Sequence, residues 1–450
     1  MNPPAEKHNF PGKFRLARFI IFFIAILLLL AGLAFYYISR PMNPLKGGRI
    51  GVQKINENYS FTIDGKPFKV KGGSGFSYVK ELAAAGGNTL KTWDTANLYN
   101  ILNEAGKNNV YVIAGFYLPP SHFINEFYSD SAKTGLMLRS YLDVVKKYKN
   151  HPALLSWCVG NELEFSFHPS KAPFYKFLKQ LVSNIRNEDA DHPLTTTIME
   201  RMNILGIKTF IPEFDYLSIN SFANLKQLKP KINALKWIWN GPYLITEWAP
   251  IGGWEAETTA WHAPIENTST KTAEQVLEYY RNYMPVNDNR LLGSMVFFWG
   301  TKQEYTHTWF SMFDEEGHPY QAVESITAIF KNTTPSLLSP QVKFMLLNEK
   351  GARENILVKA GSQNIARLVP GQNADTSQWK YKWEILKEDW WGHLKSKPEK
   401  PPAENIPLHV IGGLAKFNAP LKAGPYRIFV TVTNENGYSA TANTPFYVLD

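Results

Sequence analysis

The sequence predicts an α/β protein whose main body is a (β/α)8 barrel, preceded by a transmembrane helix and followed by an all-β sandwich domain. Short apolar runs alternate with amphipathic stretches over about 265 residues in the middle of the chain. An uncharged apolar segment comes before them, and the last ~110 residues alternate apolar and polar side chains as strands do. At 450 residues, the chain has room for two or three such domains.

The N-terminal segment 19–39 carries no charged side chain and is long enough to cross a bilayer. As a helix it spans ~30 Å, the thickness of the hydrocarbon layer. Lys13, Arg15 and Arg18 precede it, so the positive-inside rule predicts a cytoplasmic tail over residues 1–18. The remainder of the chain is then exported, to the periplasm or to the cell exterior.

A cleaved signal peptide is the alternative interpretation of this segment, with residues 32–34 as the cleavage site. The apolar run continues past that site, which favours an uncleaved signal anchor. Residues 40–58 are then expected to form a stem. The stretch "YSFTIDGKPFKVKGGSG" predicts a hairpin around Asp64 and Gly65 that leads into the first barrel strand.

Eight apolar runs, separated by stretches with helical periodicity, predict the barrel over residues 59–330. The runs are nearly continuous in apolar residues, as expected for parallel strands covered by helices. An open doubly wound sheet is the alternative, but no glycine-rich phosphate motif follows the first strand. The predicted strands are 68–72, 89–94, 110–118, 154–162, 194–199, 215–222, 241–248 and 293–300.

The C-terminal part begins with the linker "KNTTPSLLSP" at 331–340. Residues 341–450 alternate with period 2 and contain an Asn-Glu-Asn-Gly turn, which predicts an immunoglobulin-like antiparallel sandwich. Trp390 and Trp391 in this domain suit either recruitment of a polysaccharide or a place in the core.

Composition excludes several classes of function. The net charge is +9, but no dense Lys/Arg block, helix-turn-helix or zinc-finger spacing indicates a nucleic-acid partner. Cys158 is the single cysteine, so no disulfide within the chain and no cysteine-based metal site is predicted. No His-x-His follows the first strand, and we predict neither a metal nor a cofactor. The aromatic share of 14% suits a large core or a groove whose rings stack on sugars.

Two predicted strands end on a glutamate, Glu162 in "LLSWCVGNE" and Glu247 in "YLITEW". They are strands 4 and 7, so in a barrel both ends lie on the carboxyl-terminal rim and face each other across the mouth. Glycosidic cleavage needs such a pair: a neutral acid protonates the leaving oxygen, and an ionised carboxylate attacks the anomeric carbon. Retention of configuration would require the two carboxyl groups about 5 Å apart.

Several passages resemble a known family. "VGNE", followed far downstream by "ITEW", resembles the retaining glycoside hydrolases of clan A. "FTIDGKPFKVKGGSG", "AAAGGNTLKTWD" and "VSNIRNEDADHPLTTTI" are similar to the barrel domain of glycoside hydrolase family 2. The resemblance covers roughly residues 58–330, with the passages in the same order as in the family.

The resemblance implies a role for each matching residue. Glu162 is implied to be the general acid/base and Glu247 the nucleophile. Asn161 is implied to hydrogen-bond the 2-hydroxyl of the sugar. Further implied sugar contacts are Trp299, at the floor of the subsite, and Trp248, Trp93 and Asp94.

Two positions depart from the family pattern. Phe222, included among the candidate binding residues, stands where relatives carry a tyrosine that hydrogen-bonds the nucleophile. Lys91 replaces an arginine, which removes a bidentate donor. The membrane segment also stands where the family commonly has N-terminal β domains.

The sequence therefore predicts a membrane-anchored, exported glycoside hydrolase that cleaves a β-linked oligo- or polysaccharide with retention, with β-glucans as one candidate substrate. A transglycosylase that uses the same two glutamates is one alternative. A non-catalytic glycan-binding protein of the cell envelope is the other. The sequence gives no indication of the sugar, the linkage or the oligomeric state.

Overall fold

The computed structural model describes residues 11–40, 44, 48–199, 201–372, 374–389 and 399–450, with side chains from residue 16 onward. Most of the predicted cytoplasmic tail lies outside the described residues, and so do Trp390 and Trp391.

The described chain contains nine α-helices and twenty strands. The helices are α1 Pro11–Ile38, α2 Val79–Ala84, α3 Leu98–Lys107, α4 Ser131–Tyr148, α5 Ala172–Glu188, α6 Asn203–Phe210, α7 Leu228–Ala234, α8 Ser269–Tyr283 and α9 Gln321–Lys331. The strands before residue 300 are β1 Ile50–Ile55, β2 Asn58–Ile63, β3 Lys66–Phe68, β4 Val70–Ser74, β5 Thr89–Lys91, β6 Tyr111–Phe116, β7 Leu154–Val159, β8 Leu194–Thr195, β9 Thr197–Ile198, β10 Leu217–Ser221, β11 Tyr243–Trp248 and β12 Leu291–Phe297. The remaining strands are β13 Val342–Leu347, β14 Leu357–Lys359, β15 Gln363–Pro370, β16 Lys380–Lys387, β17 His409–Ile411, β18 Leu414–Asn418, β19 Gly424–Thr433 and β20 Ser439–Leu449.

The predicted (β/α)8 barrel is confirmed. One parallel sheet has the order β8-β7-β6-β5-β4-β12-β11-β10-β9. Its two end strands are halves of a single segment, interrupted at Thr196, so eight segments close into a ring. Each of these segments overlaps one predicted from the sequence. Both faces of the ring are buried, which explains the continuous apolar runs.

Helices α2 to α9 cover the outside of the ring, and their apolar faces join its outward side chains in the main hydrophobic core. Helices α6 and α7, on either side of β10, are short elements that the sequence pattern did not predict. α6 leads into β10 and α7 follows it, so this strand too is flanked by helices.

A small antiparallel sheet closes the amino-terminal end of the barrel. The predicted hairpin at Asp64 and Gly65 joins β2 to β3, and both turn residues have positive φ. The predicted stem 40–58 requires a correction, because its second half contains β1, which pairs with β2. The apolar side chains Ile50, Val52 and Phe61 are buried there against the inner residues of the barrel, so this segment belongs to the folded body.

The N-terminal apolar segment is helical. Within the described parts of the chain, Leu16–Ile38 is the one stretch of helix long and apolar enough to cross a membrane, with a mean hydropathy of 2.9. Its side chains are largely exposed to the surroundings rather than buried in the protein. The last turn of α1 contacts the barrel, where the Phe35 ring stacks on Trp237 at 5.8 Å.

The C-terminal domain is a sandwich of two four-stranded sheets, with orders β13-β15-β18-β17 and β14-β20-β19-β16. All pairs are antiparallel except β14 with β20. Their inner side chains form a separate hydrophobic core. This confirms a sandwich domain after the barrel.

The sandwich is joined to the barrel by buried polar contacts. Arg427 of β19 is almost fully buried and donates hydrogen bonds to Glu388, to Asn443 Oδ1 and to the backbone oxygen of Pro264 in the barrel. Asn443 of β20 donates in turn to the barrel residue Glu266 at 2.7 Å. These groups lose water where the domains meet and are hydrogen-bonded there, which favours one arrangement of the two domains.

Candidate active site

A cavity of about 770 Å³ opens at the carboxyl-terminal rim of the barrel. Residues at the ends of seven of the eight strand segments line this cavity, so the lining residues are scattered along the sequence. The lining residues are Phe76, Trp93, Asp94, Asn161, Glu162, Met199, Phe222, Glu247, Trp254, Phe297, Phe298, Thr301, Lys302, Gln303 and Glu304. Both predicted glutamates are therefore in one cavity.

Glu162 follows β7 in a turn that depends on the glycine at position 160. Gly160 has φ of 78°, and a Cβ there would lie 2.4 Å from Leu163 Cδ1, so glycine is required. Glu162 itself has φ of 53°, and its backbone N–H donates to the Thr197 carbonyl at 2.9 Å. The turn thus bends Glu162 out of the strand and ties it to the neighbouring strand segment.

The surroundings of Glu162 favour its neutral form. The residue is open to the cavity, yet the enclosing protein desolvates its carboxyl group, and the charge of Glu247 repels a second negative charge. Together they raise the pKa of Glu162 to about 7, against the opposing effect of Asn220 Nδ2, which donates to Glu162 Oε1 at 2.7 Å. A carboxyl group with such a pKa is protonated in about half of the molecules at neutral pH and can donate that proton.

Glu247 lies on β11, buried, and accepts two hydrogen bonds from β5 and the residues after it. Lys91 Nζ lies 2.9 Å from Glu247 Oε1, and Trp93 Nε1 lies 2.7 Å from the same oxygen. Lys91 and Trp93 are two residues apart and so point to the same side of the chain. An ammonium group and an indole N–H aimed at one oxygen stabilise a carboxylate anion.

Asn161 and Asp94 also lie at this cavity, as predicted. Lys91 Nζ approaches Asn161 Oδ1 at 3.4 Å, so one lysine connects Asn161 with Glu247. Asp94 Oδ1 accepts the backbone N–H of Ala96 at 2.9 Å, which holds the loop after β5.

Aromatic rings form much of the wall. Trp93 stacks on Phe298 with 5.6 Å between ring centroids and 13° between planes. Phe222 packs edge-on against Trp254 at 4.9 Å. Apolar ring faces beside hydrogen-bonding groups suit a ligand with both apolar and polar faces, as a pyranose has.

The structure places Trp248 and Trp299 elsewhere, which corrects the sugar contacts predicted for them. Successive strand residues point to opposite faces, so Trp248 points away from the cavity that Glu247 faces and packs on Tyr280 of α8 at 5.8 Å. Trp299 is fully buried, and its Nε1 donates to the Tyr78 carbonyl at 2.9 Å. A Cβ at Gly73 would lie 2.6 Å from Trp299 Cβ, so this glycine makes room for the ring in the core.

Sequence reasoning missed several residues that the fold brings to the cavity. Asn220, on β10, holds Glu162, and its own Oδ1 accepts from Thr246 Oγ1 at 3.0 Å. A polar residue inside the apolar run "YLSINSF" was the available signal. Phe297 and Phe298, the two residues before Trp299, are the rings of this segment that line the cavity.

Three further glutamates, in the loops after β11 and β12, have partners within the protein. Glu255 accepts the backbone N–H groups of Ala223 and Gly252, and Glu257 pairs with Arg353 of the sandwich. Glu304 lines the same cavity as the two central glutamates and pairs with Lys302 at 2.9 Å.

A parallel barrel with two carboxylates at its carboxyl-terminal rim is an arrangement found in glycosidases. The chain is similar in sequence to the β-glucuronidase of Mus musculus, with 27% identity over 219 residues that cover 41% of this chain and 31% of the mouse protein. The similarity is thus to about a third of that relative's length. It confirms the predicted resemblance to glycoside hydrolase family 2. No family model matches the sequence.

Solved structures are similar to this chain at low sequence identity. A β-D-glucuronidase of Dictyoglomus thermophilum has a TM-score of 0.49 and 16% identity over 64% of this chain and 55% of that one. An endo-β-1,4-mannanase of Thermotoga petrophila has a TM-score of 0.42 and 14% identity over 86% and 99%. A putative β-galactosidase of Bacteroides fragilis has a TM-score of 0.48 and 11% identity over 89% and 58%.

Proposed function

We propose that this chain is a glycoside hydrolase that cleaves a β-linked glycan with retention of configuration, through a glycosyl-enzyme intermediate. One observation supports it above the others: two glutamates line one cavity in contrasting surroundings. Desolvation favours the protonated form of Glu162, while Lys91 and Trp93 stabilise an anionic Glu247. This contrast supports Glu162 as the acid and Glu247 as the nucleophile.

In the first step, a Glu247 oxygen forms a bond to the anomeric carbon as the bond from that carbon to the leaving oxygen breaks. The proton of Glu162 passes to the leaving oxygen. In the second step, Glu162 takes a proton from water, the water oxygen bonds to the anomeric carbon, and Glu247 leaves as a carboxylate. The ester of Glu247 carries no charge, so repulsion of Glu162 falls in the intermediate and its carboxylate becomes available as a base.

The remaining cavity residues take supporting roles in this proposal. Asn161 donates to the 2-hydroxyl of the sugar, while Asp94 and the rings of Trp93 and Phe222 contact the sugar from the wall. Lys91 and Trp93 orient Glu247 in place of the arginine and tyrosine of family relatives.

The test is turnover of a panel of β-glycosides and β-glycans that includes β-glucuronides and β-glucans. We expect the wild type to cleave at least one, and Glu162→Gln and Glu247→Gln to lose most of that activity, with Glu274→Gln, at an exposed position on α8 away from the cavity, as a matched control. A 2-deoxy-2-fluoro glycoside of the cleaved sugar should attach to Glu247, as read by peptide mass spectrometry. Sugar binding without turnover by the wild type would contradict the proposal and favour the non-catalytic glycan-binding protein.

A transglycosylase would use the same two glutamates and differ only in the acceptor. Analysis of the products separates the two outcomes, because transfer yields glycans longer than the substrate, whereas hydrolysis yields only shorter ones.

We also propose that α1 anchors the protein, with the N-terminus in the cytoplasm and the barrel exported. The apolar stretch Leu16–Ile38 and the basic residues before it support this. Retention in the membrane fraction after alkaline carbonate extraction, with the barrel accessible to protease from the outer side only, is the expected result. A soluble product that lacks the first ~35 residues would instead indicate a cleaved signal peptide.

A further inference from the structure

The cleft at Glu162 continues into a second cavity of about 600 Å³. Glu162 and Met199 line both cavities, so the second one is an extension of the first. We name the extension the side groove. Its lining residues are Glu162, Glu164, Phe165, Ser166, Phe167, Met199, Met202, Asn203 and Leu205.

The position of the two glutamates assigns a part of the substrate to each cavity; this step rests on the proposed function. Glu247 lines only the first cavity, so the sugar bonded to it during the reaction lies there. Glu162 protonates the leaving oxygen and stands where the two cavities meet. The leaving group therefore extends past Glu162 into the side groove.

The side groove has an apolar surface open to its contents. Phe167, Met199 and Met202 are 51%, 39% and 67% exposed, and Leu205 lies beside them. Large apolar side chains in such a cluster mark a surface that binds an apolar ligand. Methionine is flexible and polarisable, and adapts to chains of varied shape.

Two polar side chains of the side groove, Asn203 and Glu164, are engaged with the protein. Asn203 Nδ2 donates to the Leu163 carbonyl at 3.3 Å, and its Oδ1 accepts the Phe165 N–H at 3.0 Å. Glu164 pairs with Lys171 at 3.1 Å. A sugar in this place would bury hydroxyl groups with few partners, which costs free energy, whereas a hydrocarbon needs none.

The apolar surface continues along α6 towards the end of α1. The Phe167 ring lies 5.1 Å from the ring of Phe210, the last residue of α6. Two positions earlier, Lys208 Nζ donates to the backbone carbonyl of Arg40, directly after α1, at 2.7 Å. A chain leaving the side groove along α6 therefore heads for the end of the proposed membrane anchor.

From this arrangement we propose that the natural substrate is a β-glycoside with a hydrocarbon aglycone, and that Phe167, Met199, Met202 and Leu205 bind this aglycone. The chemistry is shared by glycolipids in a membrane and by free alkyl glycosides. The course of α6 towards α1 favours the membrane glycolipid as the source.

The experiment measures kcat/KM of the full chain in phospholipid vesicles with methyl, butyl and octyl β-glycosides of the sugar that the wild type prefers. We expect a rise of about 10–100-fold from methyl to octyl, since each buried methylene adds affinity. Phe167→Ser and Met202→Ser should reduce the octyl-to-methyl ratio about 10-fold, because each removes part of the apolar wall. Leu136→Ser, an exposed leucine on α4 outside both cavities, should keep the wild-type ratio.

An octyl-to-methyl ratio of kcat/KM near 1 for an active wild type would overturn the aglycone assignment and leave the glycosidase proposal intact. Lack of turnover of every glycoside would contradict the glycosidase proposal itself. Binding of octyl and methyl glycosides, measured by titration calorimetry on the same samples, keeps the aglycone assignment testable in that event, and equal affinities would overturn it. A hexadecyl glycoside embedded in the vesicles identifies the source: cleavage faster than that of monomeric octyl glycoside indicates a membrane lipid, and slower cleavage a free one.

Discussion

At the residue scale, the candidate site depends on what surrounds each glutamate. Glu162 faces a carboxamide and the repulsion of a nearby carboxylate, whereas Glu247 faces an ammonium group and an indole N–H. The two residues are chemically identical, so the raised pKa of Glu162 comes from its surroundings: first the burial of its carboxyl group, then repulsion by Glu247, against the hydrogen bond from Asn220.

The pH dependence of activity follows from Glu162. Its pKa is raised to about 7, and the proposed mechanism uses its protonated form as the acid, so kcat/KM should fall as pH rises through about 7. An aryl glycoside whose leaving group needs no protonation should still react with Glu247 in the Glu162→Gln variant. The fall of kcat/KM at alkaline pH should be absent from that variant. An alkaline limb of unchanged position in Glu162→Gln would show that another group controls it.

Trp93 should orient the nucleophile through its N–H as well as contact sugar through its ring. Trp93→Phe keeps a ring but removes the donor to Glu247, and a hydrogen bond to a charged group is worth about 1.5–3 kcal/mol. We expect kcat to fall about 10–100-fold with a smaller change in KM.

The matched control for this prediction is Trp254→Phe, which changes another indole of the same cavity. This variant should leave kcat within about 3-fold of wild type, since Trp254 forms part of the cavity wall. Equal losses of kcat in the two variants would contradict a special role for the Trp93 N–H.

At the element scale, strand alternation decides which side chains reach the cavity and which enter the core. Glu247 and Trp248 are adjacent on β11, and only the first faces the cavity. The same reasoning applies to the sandwich strand β19, where Arg427 points at the barrel while its neighbours Ile428 and Tyr426 join the core of the sandwich.

Arg427 should be important for stability. Burial raises the pKa of Glu388, and the Arg427 guanidinium opposes this shift, so removing the guanidinium leaves a buried carboxyl group without its ion partner. Arg427→Met should therefore lower the free energy of unfolding by about 3–5 kcal/mol, measured by chemical denaturation.

Arg353→Met is the control for Arg427→Met, because Arg353 also joins the sandwich to the barrel but forms an exposed ion pair with Glu257. It should cost no more than about 1 kcal/mol. Similar costs for the two variants would mean that burial of the pair at Arg427 is unimportant.

At the scale of the whole molecule, hydrogen bonds join the sandwich to the barrel at several places. Besides Arg427, residues of β20 reach the barrel: Ser439 Oγ donates to Asp314 Oδ2, and the backbone N–H of Thr441 donates to Ser269 Oγ. The linker is held as well, since Ser336 Oγ donates to Glu324 of α9. The sandwich therefore covers one side of the barrel with satisfied polar groups.

Removing residues 337–450 should consequently harm folding more than chemistry. A fragment of residues 41–336 should be insoluble or should melt at least about 10 °C below a fragment of residues 41–450. Differential scanning fluorimetry measures this. A fully stable 41–336 fragment that has lost only its affinity for a polymer would show that the sandwich serves recruitment.

Much of the fold could be predicted from the sequence because its signals are local. The apolar runs and their glycine-bounded helices mark the eight barrel segments, and period 2 marks the sandwich. Strand β1 was missed because its alternation is weak, with Ile50 and Val52 buried and Lys54 exposed.

By itself, the sequence determined the order of domains, the class of barrel and the two glutamates at strand ends, since hydrophobic periodicity and strand counting suffice for these. Only the tertiary structure decided that Lys91 and Trp93 hold Glu247, that Asn220 holds Glu162, and that Trp248 and Trp299 lie in the core. The physical reason is that such contacts join residues far apart in the chain, 156 positions for Lys91 and Glu247. They depend on how the ring closes and on the direction of each side chain, which no local pattern records.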